Sequence, residues 1–367
     1  REDVDLGVYV HVPFCRRRCK FCYFKVYTDK NAGEVERYLD AVGREVESMA
    51  TRPAIAGRRP TFLYVGGGTP SYISSTNLRA LIARLGAAIP LDGAREVTFE
   101  CEPGTLTEKK VAAIRDVGVT RLSLGVEHFD DRILSENGRA HESTEIYRAV
   151  PWIRAAGFAQ LNVDLIAGMV GETTETWRDA VRRTIDLDPD SVTIYQMELP
   201  FNTVYSKSVL GGSAIPVADW DTKRGWNDWA IDAFVDAGFE VSSAYTVVRK
   251  RGDARPSFVY RDSVWRGADL LALGVSSFGH IGGVHYQNAS NWDQYLERIE
   301  SGRPAAERAY PTGPRERLIR ETILQLKLGV LSPAYFRDQH DTSIDVEFRE
   351  VWDGLRAEGL LERADAE

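Results

Sequence analysis

From Gly7 to about Ser242, short β-branched runs alternate with longer segments of helical periodicity, and no other pattern narrows the possible folds as far. Strand-length runs separated by helices of this length predict parallel strands joined by crossover helices. The predicted strands are Val8–Val12, Phe62–Val65, Val97–Glu100, Leu122–Val126, Leu161–Ile166 and Val192–Gln196. The predicted helices are Val35–Met49, Asn77–Leu85, Glu108–Val117, Glu145–Ala156, Thr174–Ile185 and Asp219–Ala237. Six such units without a dinucleotide-binding fingerprint predict an α/β fold, a partial (β/α)6 barrel.

After Ser242 the alternation stops, and the rest of the chain predicts a barrel extension followed by a small helical module. The charged stretch Arg249–Arg255 predicts an exposed loop, and Leu270–Gly283 predicts a core strand and turn. Further predicted helices are Asn291–Glu300, Arg315–Leu328, Pro333–Gln339 and Val346–Glu358. The predicted domains are a barrel over residues 1–245, an extension and linker over 246–310, and a winged-helix-like domain over 311–367.

Composition excludes several classes of function. Lys and Arg number 46 against 54 Asp and Glu, a net charge of −8, so no basic field favours nucleic acid. No apolar run approaches the roughly 20 residues that a membrane span requires. The charged start Arg1–Leu6 is unlike a signal peptide. We therefore expect a cytoplasmic monomer that binds a small-molecule substrate and neither nucleic acid nor membrane.

Cys15, Cys19 and Cys22 form a C-x3-C-x2-C pattern directly after the first predicted strand. Clustered thiols without a secretion signal indicate a reducing compartment and a metal rather than disulfides. The spacing predicts three thiolate ligands of one [4Fe–4S] cluster, with one iron left open. A zinc site with His11 as fourth ligand is the alternative. Basic residues that favour thiolates lie among the ligands and are Arg16, Arg17, Arg18 and Lys20.

Glycines and polar residues follow the other predicted strands. In Tyr64–Pro70, "YVGGGTP", consecutive glycines allow a ligand to approach the backbone closely. Asp164 lies among apolar residues and needs buried partners, and Arg139 is predicted to pair with a carboxylate. Because the carboxyl ends of barrel strands meet at one rim, these residues predict a binding ring. The acidic and histidine residues of this ring are Glu100, Glu102, Glu127, His128, Asp164 and Glu198.

Several motifs together resemble the coproporphyrinogen III oxidase-like branch of the radical S-adenosylmethionine (SAM) superfamily. They are "VYVHVPFCRRRCKFC", "VGGGTPS", "FECEPGTLT", "RLSLGVEHFDDRIL…GRAH", "NVDLIAGM" and "GVSSFG". The resemblance implies a radical SAM barrel whose open iron holds SAM, which is cleaved reductively to a 5′-deoxyadenosyl radical. It also implies an electron donor such as a reductase, flavodoxin or ferredoxin.

In the oxidase of this branch, two SAM molecules lie side by side, and the resemblance implies the same here. Residues expected at the SAM on the cluster are Tyr9, Gly67, Glu100 and Phe278. Residues expected at the second SAM are Phe21, Gly68, Thr69, Glu127, Arg139 and Asp164. Glu127 departs from the family pattern, which has glutamine at this position.

The segment after Cys22 distinguishes the members of the branch. The oxidase continues with C-G-C and the heme chaperones usually with aspartate, whereas this chain continues "YFKVYTDKN". The chaperones' H-N-x-x-Y-W pattern is also missing. The segment is similar to class C radical SAM methyltransferases and cyclopropanases, which implies transfer of a methyl-derived carbon to an sp2 carbon of a secondary metabolite. Oxygen-independent coproporphyrinogen III oxidase and heme chaperone are the alternatives. Candidate general bases are Tyr195, Glu198 and His128.

Overall fold

Six parallel strands form the centre of a 12-stranded sheet in the computed structural model, which describes residues 4–252 and 255–361. These strands are β1 (Leu6–Val12), β2 (Phe62–Gly67), β3 (Glu96–Cys101), β4 (Arg121–Glu127), β5 (Gln160–Ala167) and β6 (Ser191–Gln196). Each one pairs in parallel with the next. The predicted α/β fold with its βα units is therefore confirmed.

Helices connect these strands, and most of them lie where the sequence predicts. The first eight are α1 (Ala32–Ala50), α2 (Ser75–Ala88), α3 (Glu108–Asp116), α4 (Asp131–Glu136), α5 (Ser143–Ala156), α6 (Thr174–Asp186), α7 (Val204–Leu210) and α8 (Trp220–Asp236). Helices α4 and α7 were not predicted, because six and seven residues are too few to show a helical period. Among the described residues, none of the helices, long or short, could cross a bilayer.

Additional strands extend the sheet beyond both β1 and β6. The next elements are β7 (Phe239–Ser243), β8 (Thr246–Arg249), α9 (Val259–Trp265), β9 (Asp269–Leu273), β10 (Phe278–Ile281), β11 (Val284–Asn288), α10 (Trp292–Glu300) and β12 (Ala306–Pro311). The strand order is β12-β11-β10-β9-β1-β2-β3-β4-β5-β6-β8-β7. The core strand and turn predicted in Leu270–Gly283 correspond to β9 and the turn after it, whereas β10 in the same stretch was not predicted. The predicted loop Arg249–Arg255 begins at the end of β8, and residues 253 and 254 lie outside the described part.

The C-terminal helices have a small apolar core of their own. They are α11 (Pro314–Leu326), α12 (Pro333–His340), α13 (Ile344–Glu347) and α14 (Arg349–Ala357). Leu318, Phe336, Ile344 and Trp352 form this core, separate from that of the barrel. The predicted helix Val346–Glu358 is divided at Phe348 into α13 and α14. This separate core supports the proposed domain over 311–367, of which residues 362–367 lie outside the described part, as do residues 1–3 of the proposed barrel domain.

Alternation along the strands gives the sheet an apolar face and a polar face. Val10, Leu63 and Leu122 belong to the main core that includes the surrounding helices. Residues next to these positions point to the opposite face, because successive side chains of a strand alternate. Pairing aligns Glu100 of β3 with Ser123 of β4, and Ser123 with Asn162 of β5. This polar face continues to the carboxyl ends of the strands, where the predicted site lies.

Candidate metal centre and cofactor site

The three clustered cysteines lie on the loop that leaves the carboxyl end of β1. The backbone N–H of Cys15 donates to the carbonyl of Tyr27 at 3.0 Å, and the N–H of Cys22 donates to the carbonyl of Cys19 at 3.2 Å. All three thiols are free and partly exposed. Burial, and after it the neighbouring thiol of Cys19, raises the pKa of both Cys15 and Cys22.

The zinc alternative needs four ligands around one ion, with His11 as the fourth. No group of three or more His, Cys, Asp or Glu side chains in the described chain is arranged to hold one metal ion. A tetrahedral zinc ion requires sulfurs about 2.3 Å from one centre, whereas a cubane places each thiolate on a different iron. His11 is also engaged elsewhere, with its ring nitrogens 3.1 Å from Oη of Tyr9 and 3.2 Å from the carbonyl of Lys25. The zinc alternative is therefore not supported.

Burial, more than the neighbouring basic residues, controls the ionisation of the thiols. It raises the pKa of Cys15 to about 12 and that of Cys22 to about 11. Arg16 donates to Glu102 at 2.9 Å and Lys20 donates to Glu136 at 3.1 Å. The expected stabilisation of thiolates by the basic residues is therefore outweighed. Cluster binding must displace protons from these thiols.

Arg139 connects the cysteine loop with the carboxylates. Its Nη1 donates to Sγ of Cys19 at 3.4 Å, and its Nη2 donates to the carbonyl of Gly125 at 2.7 Å and lies 3.6 Å from Oε1 of Glu127. Burial by itself would lower the pKa of Arg139, but Cys19 and Glu127 raise it. Gly138 makes the approach possible, because it has a φ of 77° and a Cβ there would lie 3.1 Å from the carbonyl oxygen of Arg18 and 3.3 Å from the backbone nitrogen of Lys20.

The glycine motif lies against the cysteine loop, as its sequence predicts. A Cβ on Gly68 would lie 2.9 Å from Sγ of Cys15. Thr69 donates from Oγ1 to the same sulfur at 3.4 Å. Gly67 has a φ of 121° and donates its N–H to Oε2 of Glu100 at 3.0 Å. The motif therefore places the backbone beside both a predicted iron ligand and a predicted SAM contact.

Three of the predicted carboxylates, each only partly exposed, lie near one another on the polar face. Glu100 accepts from Oη of Tyr64 at 2.6 Å, and burial raises its pKa to about 7. Glu127, with a φ of 63°, has its pKa raised to about 7, first by burial and also by Asp164 and Glu100. Burial also raises the pKa of Asp164. Such a group of acids favours a ligand that brings positive charge and hydroxyl or ammonium donors.

Side chains beneath these carboxylates hold Asp164 in place. Ser123 donates from Oγ to Oδ2 of Asp164 at 2.8 Å, and Asn162 donates from Nδ2 to Oδ1 at 2.9 Å. Oδ1 of Asn162 in turn accepts from Ser191 at 2.8 Å and Thr193 at 3.1 Å. Sequence reasoning missed these residues because it considered only strand ends. Alternation of polar residues within the strands was the signal that would have found them.

Arg121 is a second residue that the sequence analysis missed. It is only 2% exposed, its guanidinium lies 3.9 Å from the centre of the Phe258 ring, and its Nε and Nη1 have no hydrogen-bond partner in the described chain. Its charge lowers the pKa of both Glu100 and Asp164 and so partly offsets the effect of burial. Together with Arg139 it balances part of the negative charge of the polar face.

The candidate bases occupy different environments. Tyr195 is the last residue but one of β6, is 49% exposed, and has its pKa raised by loss of solvation and by Asp164 and Glu100. Glu198 is exposed beyond the strand. His128 is buried, with Nδ1 accepting from the N–H of Asp130 at 2.9 Å and Nε2 lying 3.1 Å from Oε1 of Glu172. Because His128 is only 1% exposed and its Nδ1 already accepts a hydrogen bond, the structure argues against His128 as a base.

Two aromatic residues expected at SAM also differ in exposure. Phe21 packs against an apolar group that includes Ile133 and Met169. Phe278 is 66% exposed at the start of β10. Cys101 is the last residue of β3, is buried, and does not belong to the cysteine loop.

The chain is similar to known proteins in sequence and in fold. The family model described as "Radical SAM superfamily" matches residues 9–184. An oxygen-independent coproporphyrinogen III oxidase of Synechocystis sp. is 25% identical over 99% of this chain and 80% of the relative. A heme chaperone HemW of Bacillus subtilis is 24% identical over 98% of this chain and 93% of the relative. The solved structure of the Escherichia coli coproporphyrinogen III oxidase (HemN) has a TM-score of 0.85 at 23% identity, covering 100% of this chain and 86% of that chain, and shows the fold.

These relatives overturn the predicted reaction. Transfer of a methyl-derived carbon in secondary metabolism is wrong, because relatives matched over most of the chain are coproporphyrinogen oxidases and heme chaperones. That prediction depended on one short loop after Cys22, which carries less information than similarity along the whole chain.

Proposed function

We propose that this chain, which belongs to the radical SAM superfamily in its branch of oxygen-independent coproporphyrinogen III oxidases and heme chaperones, catalyses oxidative decarboxylation of a propionate on a reduced tetrapyrrole such as coproporphyrinogen III. The observation that supports it is Arg139, which joins the thiol of Cys19 to Glu127 and so places the proposed cluster beside the carboxylates. Similarity to oxidases over nearly the whole chain supports the choice of reaction.

Cys15, Cys19 and Cys22 are the proposed cluster ligands. The cluster and SAM, when bound, supply a radical that abstracts hydrogen from substrate. The proposed contacts of the first SAM are Tyr9, Gly67, Glu100 and Phe278. The proposed contacts of the second SAM are Phe21, Gly68, Thr69, Glu127, Arg139 and Asp164.

In this proposal the three carboxylates bind SAM and orient it. Tyr64 and Gly67 each donate a hydrogen bond to one carboxylate oxygen of Glu100. The remaining lone pairs of this carboxylate are left to accept hydrogen bonds from an ammonium group. Ser123 and Asn162 orient Asp164 in the same way toward hydroxyl groups of a ribose. The negative charge of the three acids favours a sulfonium.

A propionate side chain of the substrate loses a hydrogen atom from its β-carbon and then one electron to an external one-electron acceptor. The bond to the carboxylate breaks, carbon dioxide leaves, and a vinyl group forms. An external reductase, flavodoxin or ferredoxin is the proposed source of the electron that the cluster needs. Tyr195, half-exposed at the rim, is proposed to contact the substrate.

The test is anaerobic turnover of protein whose cluster has been reduced with dithionite and freed of excess reductant, with SAM, carboxyl-labelled coproporphyrinogen III and an added one-electron acceptor. We expect labelled carbon dioxide and 5′-deoxyadenosine together. Cys15→Ala, Cys19→Ala and Cys22→Ala should abolish both products, whereas Cys101→Ala is the matched control because Cys101 is a buried cysteine of β3 and not one of the proposed ligands. Deoxyadenosine without carbon dioxide would contradict the proposed reaction.

A heme chaperone is the second proposal, because several relatives are heme chaperones matched over most of the chain. It predicts stoichiometric heme uptake with little SAM turnover. Titration with heme, followed by absorbance, separates it from the oxidase.

A further inference from the structure

A buried carboxylate outside the proposed site, Glu45 on α1, holds the turn between β9 and β10. Its Oε2 accepts hydrogen bonds from the N–H of Gly274 at 2.8 Å and from Oη of Tyr295 at 2.7 Å. Its Oε1 accepts one from Nδ2 of Asn288 at 2.6 Å. Glu45 is 4% exposed, and all three of these donors are neutral groups. A carboxylate, which only accepts, suits three converging donors better than any amide does.

Further hydrogen bonds connect the same turn with β1. Tyr38, also on α1, donates to the carbonyl of His11 at 2.7 Å and accepts from the N–H of Val275 at 3.1 Å. Ser277 donates to the carbonyl of Gly274 at 2.8 Å. Ser276 has a φ of 61°, which a residue with a side chain adopts only where its surroundings hold it. The buried network therefore determines the shape of the turn.

Phe278 follows this turn immediately. Pairing places Ala272 of β9 beside Tyr9 of β1, and β10 runs back along β9 with His280 opposite Leu270. Phe278 is two residues before His280 on β10 and therefore lies at the rim of the sheet. It is on the same side of the sheet as Tyr9, which contributes to the polar face. Because the Phe278 ring is mostly exposed, the turn and not local packing sets its position.

We propose that Glu45 is a positioning residue for SAM: it holds the turn from Gly274 to Ser277 and thereby sets Phe278 against the SAM at the cluster. This inference rests on the contact proposed for Phe278. The acid belongs to α1 and touches no residue proposed to contact SAM, so its effect passes through the turn.

The test measures the Kd of SAM by equilibrium dialysis with the anaerobically reconstituted holoprotein. Glu45→Gln keeps the volume but places an NH2 group against one of the three donors. We expect its Kd for SAM to rise roughly tenfold, with the cluster absorbance unchanged. Phe278→Ala should raise the Kd at least as much. The double variant should bind no worse than Phe278→Ala alone, because both changes remove the same contact.

Glu47→Gln is the matched control, since Glu47 lies on the same helix but is exposed and paired with Arg84 at 2.6 Å. Additive effects of Glu45→Gln and Phe278→Ala, or a wild-type Kd in either single variant, would overturn the inference. If Glu45→Gln does not fold, Ser277→Ala replaces it, and a wild-type Kd in that variant has the same meaning. The experiment needs no tetrapyrrole and is therefore independent of the decarboxylation assay. Either result can be negative while the other is positive.

Discussion

Nη1 of Arg139 lies 3.4 Å from the Sγ atom of Cys19, although the two residues are 120 positions apart in the chain. The same guanidinium lies 3.6 Å from Glu127. One buried cation thus serves both a proposed iron ligand and a proposed contact of the second SAM. Any change at Arg139 is therefore expected to affect both groups together.

Replacing Arg139 tests this connection. Arg139→Ala leaves the carboxylate of Glu127 without its cation, and breaking a buried pair costs about 3–5 kcal/mol. We expect a lower free energy of unfolding and at least a tenfold loss of deoxyadenosine formation. Arg139→Lys should recover stability but not activity, because an ammonium cannot reach Cys19, Gly125 and Glu127 at once. Arg79→Ala is the control, since Arg79 forms an exposed pair with Asp116. Wild-type turnover in folded Arg139→Ala would refute the role.

Gly68 is expected to accept no side chain. A Cβ there would lie 2.9 Å from Sγ of Cys15 and 3.0 Å from the carbonyl oxygen of Phe14, so Gly68→Ala should displace the cysteine loop. We predict that the purified variant loses most of its iron, measured by iron content and by absorbance after reconstitution. Gly86→Ala is the matched change, because no atom lies within 4 Å of its added Cβ, and alanine should stabilise α2 by about 1 kcal/mol. Full iron content in Gly68→Ala would show that the loop can adjust.

Asn162 is expected to control Asp164. In Asn162→Ala, the hydroxyls of Ser191 and Thr193 and one oxygen of Asp164 lose their partner. Each buried group left unsatisfied costs about 1–3 kcal/mol. We therefore predict a lower midpoint of urea unfolding and a higher KM for SAM. An unchanged KM in a folded variant would separate Asp164 from SAM binding.

The buried acids should make the stability of the cofactor-free protein depend on pH. The pKa of Glu127 is raised from 4.5 to about 7 on folding, mainly by burial. Between these values the folded state binds more protons than the unfolded state, so the free energy of unfolding falls as pH rises through this window. Glu127→Gln should reduce the slope, measured by urea unfolding at several pH values from 4.5 to 7, the window of this pKa shift. Wild-type and variant slopes that coincide would exclude Glu127 as the source.

Local patterns were sufficient for the βα units, the cysteine loop and the glycine motif. Periodicity in each strand and helix, and spacing within Cys15–Cys22, depend only on residues that are neighbours in sequence. The same kind of information failed for α4 and α7, which are shorter than a pattern can reveal, and for the flanking strands, whose partners are remote. Local information also led to the wrong predicted reaction, because the short loop after Cys22 was given more weight than the similarity of the whole chain to oxidases.

Contacts between distant segments required the folded chain. Arg139 meets Cys19, Asn162 orients Asp164, and His128 comes within 3.1 Å of Glu172 only in the folded chain. Burial has the same origin: whether a carboxylate such as Glu45 or Glu100 lies in water or among apolar residues depends on packing, and packing sets its pKa. Short sequence patterns thus identify the proposed cluster and SAM-binding residues, whereas the charge, orientation and partners of these residues depend on the tertiary structure.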